Sequence, residues 1–92
     1  MNTKITHLEV WFEGHVQGVG FRYKVLQIAK EFDVNGQVEN LDDGRVYLQI
    51  EASESEANGF KAEIEDQMAN FIRKTETATA NREAQFKGFT IG

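Results

Sequence analysis

The residues of this sequence best suited to chemistry lie in one short stretch, Gly14-His15-Val16-Gln17-Gly18-Val19-Gly20-Phe21-Arg22, where three of nine positions are glycine and the last is arginine. Glycine admits positive φ and leaves the backbone bare, so successive N–H groups can turn to one side and form a concavity for an anion. A guanidinium adds paired donors that match a phosphoryl group. A helix beginning at Phe21 brings unpaired first-turn N–H groups and the positive end of its dipole to the same place. An arginine there is unfavourable unless an anion lies beside it. The stretch reads as a phosphate site, although on spacing alone a glycine-rich turn between strand and helix is also a plain connection.

By type and place Asn40 is a polar residue at a strand end leading into the turn Asp42-Asp43-Gly44, where asparagine is common. His15 lies in the loop and is of the type that usually serves as acid or base. His7 has no companion at metal-ligand spacing, and two dispersed histidines do not make a zinc site. Cysteine is absent, which removes disulfides, thiolate catalysis and cysteine-bound metals and leaves the cytoplasm as the simplest compartment. Fifteen acidic against ten basic residues give a net charge of −5, which disfavours nucleic acid and anionic membranes, so an anion site must be local. No hydrophobic run suits a signal peptide or a membrane span.

The elements that must position these residues follow from periodicity. The 92 residues suit one small domain over 1–92. After a polar lead-in from Met1 to Lys4, Leu8, Val10 and Phe12 alternate with His7, Glu9, Trp11 and Glu13, which predicts a strand with the second set, Trp11 included, on its wetter face. Phe21, Val25, Ile28, Ala29 and Phe32 recur at helical spacing, and Asn35-Gly36 stops that helix at about Val34. Gln37–Leu41 and Arg45–Glu51 form a hairpin around Asp42-Asp43-Gly44, with Val46, Leu48 and Ile50 inward and Tyr47, Gln49 and Glu51 outward. Ser53 and Glu56 stand at capping-box spacing before a helix with the apolar stripe Ala57, Phe60, Ile64, Met68 and Phe71, whose Glu63, Glu65 and Asp66 form a solvated face. Residues 73–85 carry strand-favouring Thr75, Thr77 and Thr79 without apolar alternation, consistent with an edge strand and a loop. Phe86, Phe89 and Ile91 suggest a closing strand. Two helices on one face of an antiparallel sheet, with the third strand between the first two, make an α+β ferredoxin-like sandwich of split βαβ type.

Gly14-x-Val16-Gln17-Gly18-Val19-x-Phe21-Arg22 and Gly36-x-Val38-x-Asn40-x-x-Asp43-Gly44-x-Val46 resemble the two signatures of the acylphosphatase family, in the same order. The resemblance covers most of the chain. The chain departs from the family at Glu51-Ala52, where a glycine often follows the glutamate, and lacks a Gly-Pro-Pro-like stretch after the second helix. The resemblance implies the same ferredoxin-like fold and metal-independent hydrolysis of the carboxyl–phosphate bond of acyl phosphates, with no cofactor. It places the phosphoryl group on Arg22 and on the loop residues His15, Val16, Gln17, Gly18, Val19 and Gly20, with Asn40 as the catalytic amide that positions water. Gln17 shapes the loop, Asp43 and Gly44 form the turn, and His15 matches a variable position without a catalytic role. The implied partners are a small acyl phosphate and inorganic phosphate, without nucleic acid or membrane, for a monomer in the cytoplasm. Three alternatives use the same fold: an RNA-binding sheet, disfavoured by Glu9, Glu13, Gln49 and Glu51 on the exposed face; a sensing module that binds an anion without turnover; and a domain of a larger carbamoyl-transfer protein, which needs further domains.

Overall fold

The computed structural model describes residues 4–92; the expected polar lead-in, apart from Lys4, lies outside them. The elements are β1 (Lys4–Gly14), α1 (Phe21–Ala29), β2 (Asn35–Asn40), β3 (Val46–Ala52), α2 (Glu54–Gln67), β4 (Ile72–Glu83) and β5 (Phe89–Ile91). The sheet order is β4-β1-β3-β2-β5, an α+β ferredoxin-like sandwich with the third strand between the first two. Leu8, Val10 and Phe12 of β1 stand opposite Ile50, Leu48 and Val46 of β3. These six side chains, with Val38, are buried against Phe21, Val25 and Ile28 of α1 and Ala57, Phe60 and Ile64 of α2. Removing an enclosed phenylalanine such as Phe60 costs ~3–5 kcal/mol.

Helix α1 spans nine residues, too few to be stable alone, and depends on burying that stripe. It ends at Ala29 and not near Val34. The N–H groups of Lys30, Glu31 and Phe32 reach back three residues, to Gln27, Ile28 and Ala29, which tightens the chain out of the α-helix. Asn35-Gly36 is the start of β2 rather than a helix stop. In α2, Ser53 caps by accepting from the Glu56 N–H at 3.3 Å. The Glu56 carboxylate does not complete the box; it accepts from the Asp33 N–H at 2.7 Å and holds the end of the α1 connection.

The expected antiparallel sheet is mixed, because β5 pairs parallel to β2. Strand β4 fills most of the poorly patterned stretch as one edge strand paired antiparallel along β1. The chain must then cross to the opposite edge, and residues 84–88 make that crossing. Gly88 closes it: its carbonyl accepts from the Gly36 N–H at 2.9 Å, and its N–H donates to Asn35 Oδ1 at 2.9 Å. Phe86 belongs to the crossing and not to the closing strand.

This crossing overturns the expectation that His7 and Glu51 lie outside, since both are buried. Glu51 Oε1 accepts from the N–H groups of Gln85 and Phe86, each at 2.8 Å, and Oε2 lies 3.5 Å from both Arg82 Nη2 and His7 Nδ1. Burial pushes the Glu51 carboxyl up, but those two N–H groups and the Arg82 charge outweigh it and hold it below its ordinary range. Burial, and then the Arg82 charge, lowers the pKa of His7 against the opposing pull of Glu51. Farther along the outer face, Trp11 stacks on Tyr47 with ring centroids 5.2 Å apart, and the Tyr47 hydroxyl donates to Glu9.

Candidate active site

The end of the sheet away from this buried cluster carries the loop. The β1–β4 register shifts between Glu13 and Gly14, where Gly14 has φ +137°, and a Cβ there would stand 2.5 Å from the Phe71 carbonyl oxygen and 2.7 Å from the Arg73 nitrogen. The first glycine therefore serves the close passage of two backbones. The same Phe71 carbonyl accepts from the His15 N–H at 2.9 Å, so that N–H is already engaged and the expected cradle narrows to residues 16–20. The His15 side chain is exposed.

Val16 anchors the loop in the core. Gly18 and Gly20 have φ +77° and +78°, and a Cβ on either would meet nothing within 4 Å, so the loop surface is open at both. Among the described residues, no backbone N–H of 16–20 donates to a backbone carbonyl. Gly20 caps α1 without a side-chain hydrogen bond, and no acidic residue occupies the first turn. The Lys24 N–H donates to the Gly20 carbonyl at 3.0 Å; the N–H groups of Phe21, Arg22 and Tyr23 precede this first intrahelical bond. Free donors, the helix dipole and an arginine thus coincide, which is an arrangement suited to an anion.

Arg22 is half-buried, and its Nη1 donates to the main-chain oxygen of Gly92 at 3.2 Å. Gly92 in turn donates to the Val38 carbonyl at 2.8 Å, two residues before Asn40 on β2. Asn40 closes β2 opposite Val46, and its Oδ1 is a buried acceptor without a hydrogen-bond partner among the described residues. Gln17 connects the two halves of the site: its Nε2 donates to the Leu41 carbonyl at 2.8 Å and the Arg45 carbonyl at 3.0 Å. It therefore fastens the loop to the turn that follows Asn40. Within that turn Asp43 accepts from the Arg45 N–H at 3.0 Å and Nε at 2.9 Å, and the Arg45 side chain holds the Asp43 carboxyl below its ordinary range.

Arg22, the loop and Asn40 thus gather at one end of the sheet. The contributions of Phe71 and Gly92 have no counterpart in the sequence patterns, because each acts through a main-chain oxygen and not a side chain.

A two-helix ferredoxin-like sandwich with an open glycine loop at one sheet end defines the class of domain. The family model described as Acylphosphatase matches residues 8–91, and the chain belongs to the acylphosphatase family. It is 54% identical over 41 residues to an acylphosphatase of Archaeoglobus fulgidus, a stretch covering 45% of this chain and 46% of that protein. It is 39% identical over 67 residues to an acylphosphatase of Oceanobacillus iheyensis, covering 73% of this chain and 74% of that protein. The chain thus spans about half to three quarters of the length of these curated relatives. The crystal structure of acylphosphatase from Bacillus subtilis superposes with a TM-score of 0.85 at 27% identity, covering 96% of this chain and 99% of that one.

Proposed function

We propose that this protein hydrolyses acyl phosphates to a carboxylate and inorganic phosphate, without a metal or cofactor. The N–H groups of residues 16–20 and the Arg22 guanidinium hold the phosphoryl oxygens and stabilise the charge spread over them in the transition state. The Asn40 amide hydrogen-bonds a water and aims the water's lone pair at phosphorus. The new P–O bond forms as the bond to the acyl oxygen breaks. The electron pair leaves on the carboxylate, and the proton of the water passes to a phosphoryl oxygen. The observation that carries this reading is the unpartnered buried acceptor of Asn40, on a strand end that Gln17 fastens to the loop, since a buried polar atom normally has a partner. The proposed enzyme is a single domain that works as a monomer in the cytoplasm, and its cysteine-free composition supports that compartment.

A sensing module would use the same cradle without Asn40. The test is release of phosphate from acetyl phosphate and benzoyl phosphate above the uncatalysed rate, with phosphate affinity measured by calorimetry. Arg22→Ala is expected to weaken phosphate binding and to lower turnover. Asn40→Ala is expected to lower turnover on the order of 10²–10³-fold while leaving phosphate affinity and folding intact. An Asn40→Ala variant as fast as the parent would make the asparagine a turn residue and leave only an anion-binding module.

A further inference from the structure

Among the described residues, the N–H groups that donate from the crossing at 84–88 all go to side chains. Those of Gln85 and Phe86 go to Glu51 Oε1, each at 2.8 Å, and that of Gly88 to Asn35 Oδ1 at 2.9 Å. Strand β5, which follows, has three residues and pairs with β2 at the edge of the sheet. Its Phe89 and Ile91 are half-buried, and the Phe89 ring meets that of Phe60 edge-on with centroids 5.5 Å apart. So short an edge strand depends on what ties it down. Of the two side chains that tie the crossing, Glu51 alone carries a charge. At the other end of the segment, the Gly92 main-chain oxygen accepts from Arg22 Nη1 at 3.2 Å.

We propose that the buried Glu51 carboxylate is a latch: ionised, it holds residues 84–92 closed on the sheet, and on acidification this segment opens as a unit, ahead of the rest of the domain, and frees Arg22 from Gly92. Strands β1 and β3 keep each other as partners when the segment lifts, so the opening is local. Glu51 of β3 faces His7 of β1 and Arg82 of β4; Glu9 of β1 acts on His7, and Asn35, uncharged, stands opposite on β2. Among the described residues, His7 Nδ1 and Arg82 Nε are buried without a hydrogen-bond partner, and water reaches both once the crossing lifts. The sign follows from the closed state. Burial and then the Arg82 charge lower the pKa of His7 from 6.5. Glu51, pushed up by burial but held down more strongly by the two N–H groups and Arg82, lies below 4.5. Opening returns both groups to their ordinary values, so the open form takes up protons first, on His7 below 6.5 and on Glu51 below 4.5. The latch is therefore complete above the first value and weakens in two stages as pH falls.

The test is amide hydrogen exchange of the parent protein by NMR from about pH 7.5 to about pH 4, corrected for the intrinsic rate. The amides of Gln85, Phe86 and Gly88 should be less protected than those of Val10 and Leu48, with less dependence on denaturant. Their protection should fall as pH falls, by up to about 10-fold per pH unit for each proton taken up. Glu51→Gln keeps an acceptor oxygen without the charge and should lower protection at Gln85 and Phe86 about 10-fold at neutral pH, since bonds to a carboxylate are the stronger kind. The parent alone decides the matter if that variant does not fold. Sulfate, whose charge is constant over this range, tests the tie to Arg22, an arm that rests on the anion reading of the loop above. At about one hundred times its dissociation constant it should raise protection at Gln85 and Phe86 by up to about 100-fold. Protection there that ignores pH, or that matches Val10 and Leu48 in size and denaturant dependence, overturns the latch. Sulfate that shifts the signals of residues 16–20 without protecting Gln85 and Phe86 overturns the tie to Arg22. Sulfate that does neither overturns the anion reading of the loop.

Discussion

Replacing Gln17 with methionine keeps the length and unbranched shape of the side chain and removes its donor. The loss is two hydrogen bonds, of 2.8 and 3.0 Å, to the Leu41 and Arg45 carbonyls. Neither carbonyl is orphaned, because Leu41 O still accepts from the Gly44 N–H at 3.2 Å and Arg45 O from the Leu41 N–H at 2.8 Å. The cost is therefore the net value of two partly buried hydrogen bonds, ~2 kcal/mol, without the larger penalty for an unsatisfied group. In a domain of this size that lowers Tm on the order of 10 °C. Turnover should fall further than stability suggests. Residues 16–20 lie in the loop between β1 and α1 and Asn40 at the end of β2, and Gln17 joins them through its side chain; a displacement of about 1 Å between reacting groups costs on the order of 10²-fold. In the proposed mode phosphate is held by local N–H groups and Arg22, so its inhibition constant should change less than about 3-fold. Thermal unfolding followed by circular dichroism, steady-state hydrolysis of benzoyl phosphate and phosphate inhibition measure the three quantities. A Gln17→Met protein with lowered Tm and undiminished kcat would refute the positioning role, and an unchanged Tm would refute the hydrogen bonds themselves.

Stability should decline on acidification in two stages. Folding lowers the His7 pKa from its ordinary 6.5, so the unfolded chain takes up the proton first, and stability is complete above that value and lost as pH falls below it. The Glu51 carboxyl is also lowered, from 4.5, and its contribution is lost as pH falls from there towards its folded value. Urea unfolding across this range should show the decline, with His7→Gln flattening its upper part; a parent curve flat between about pH 7.5 and about pH 5 would contradict it. Phosphate should raise stability by ~2.7 kcal/mol at one hundred times its dissociation constant, and this gain should largely vanish in Arg22→Ala; equal gains would place the anion elsewhere. Gly14→Ala forces a Cβ to within 2.5 Å of a backbone oxygen at φ +137° and should cost upwards of ~2 kcal/mol. Gly18→Ala meets no atom within 4 Å, carries only the strain of positive φ and should cost less. Denaturant midpoints of the two variants rank them, and the reverse order would be inconsistent with the backbone contact.

Local signals in the chain carried much of this structure. Alternation placed Leu8, Val10 and Phe12 against Val46, Leu48 and Ile50, because one buried face makes a one-residue slip expensive. Asp42-Asp43-Gly44 marked the hairpin, Ser53 the start of α2, and the glycines before Arg22 the loop. Each is a preference expressed within a few residues. What the sequence could not express is where distant backbones come close. Thr75, Thr77 and Thr79 show little about β4 because an edge strand exposed on both faces needs no apolar alternation; β1 supplies its partner groups. His7 and Glu51 read as outward residues, and they are outward with respect to the sheet. They are buried because the crossing to β5 passes over them and donates two N–H groups to Glu51. The His15 N–H is taken by a carbonyl at Phe71, which removes it from the proposed cradle, and Arg22 meets the main-chain oxygen of Gly92. Backbone carbonyls are the same in every residue, so no choice of side chain announces them, and only the folded path of the chain decides which donor each one meets.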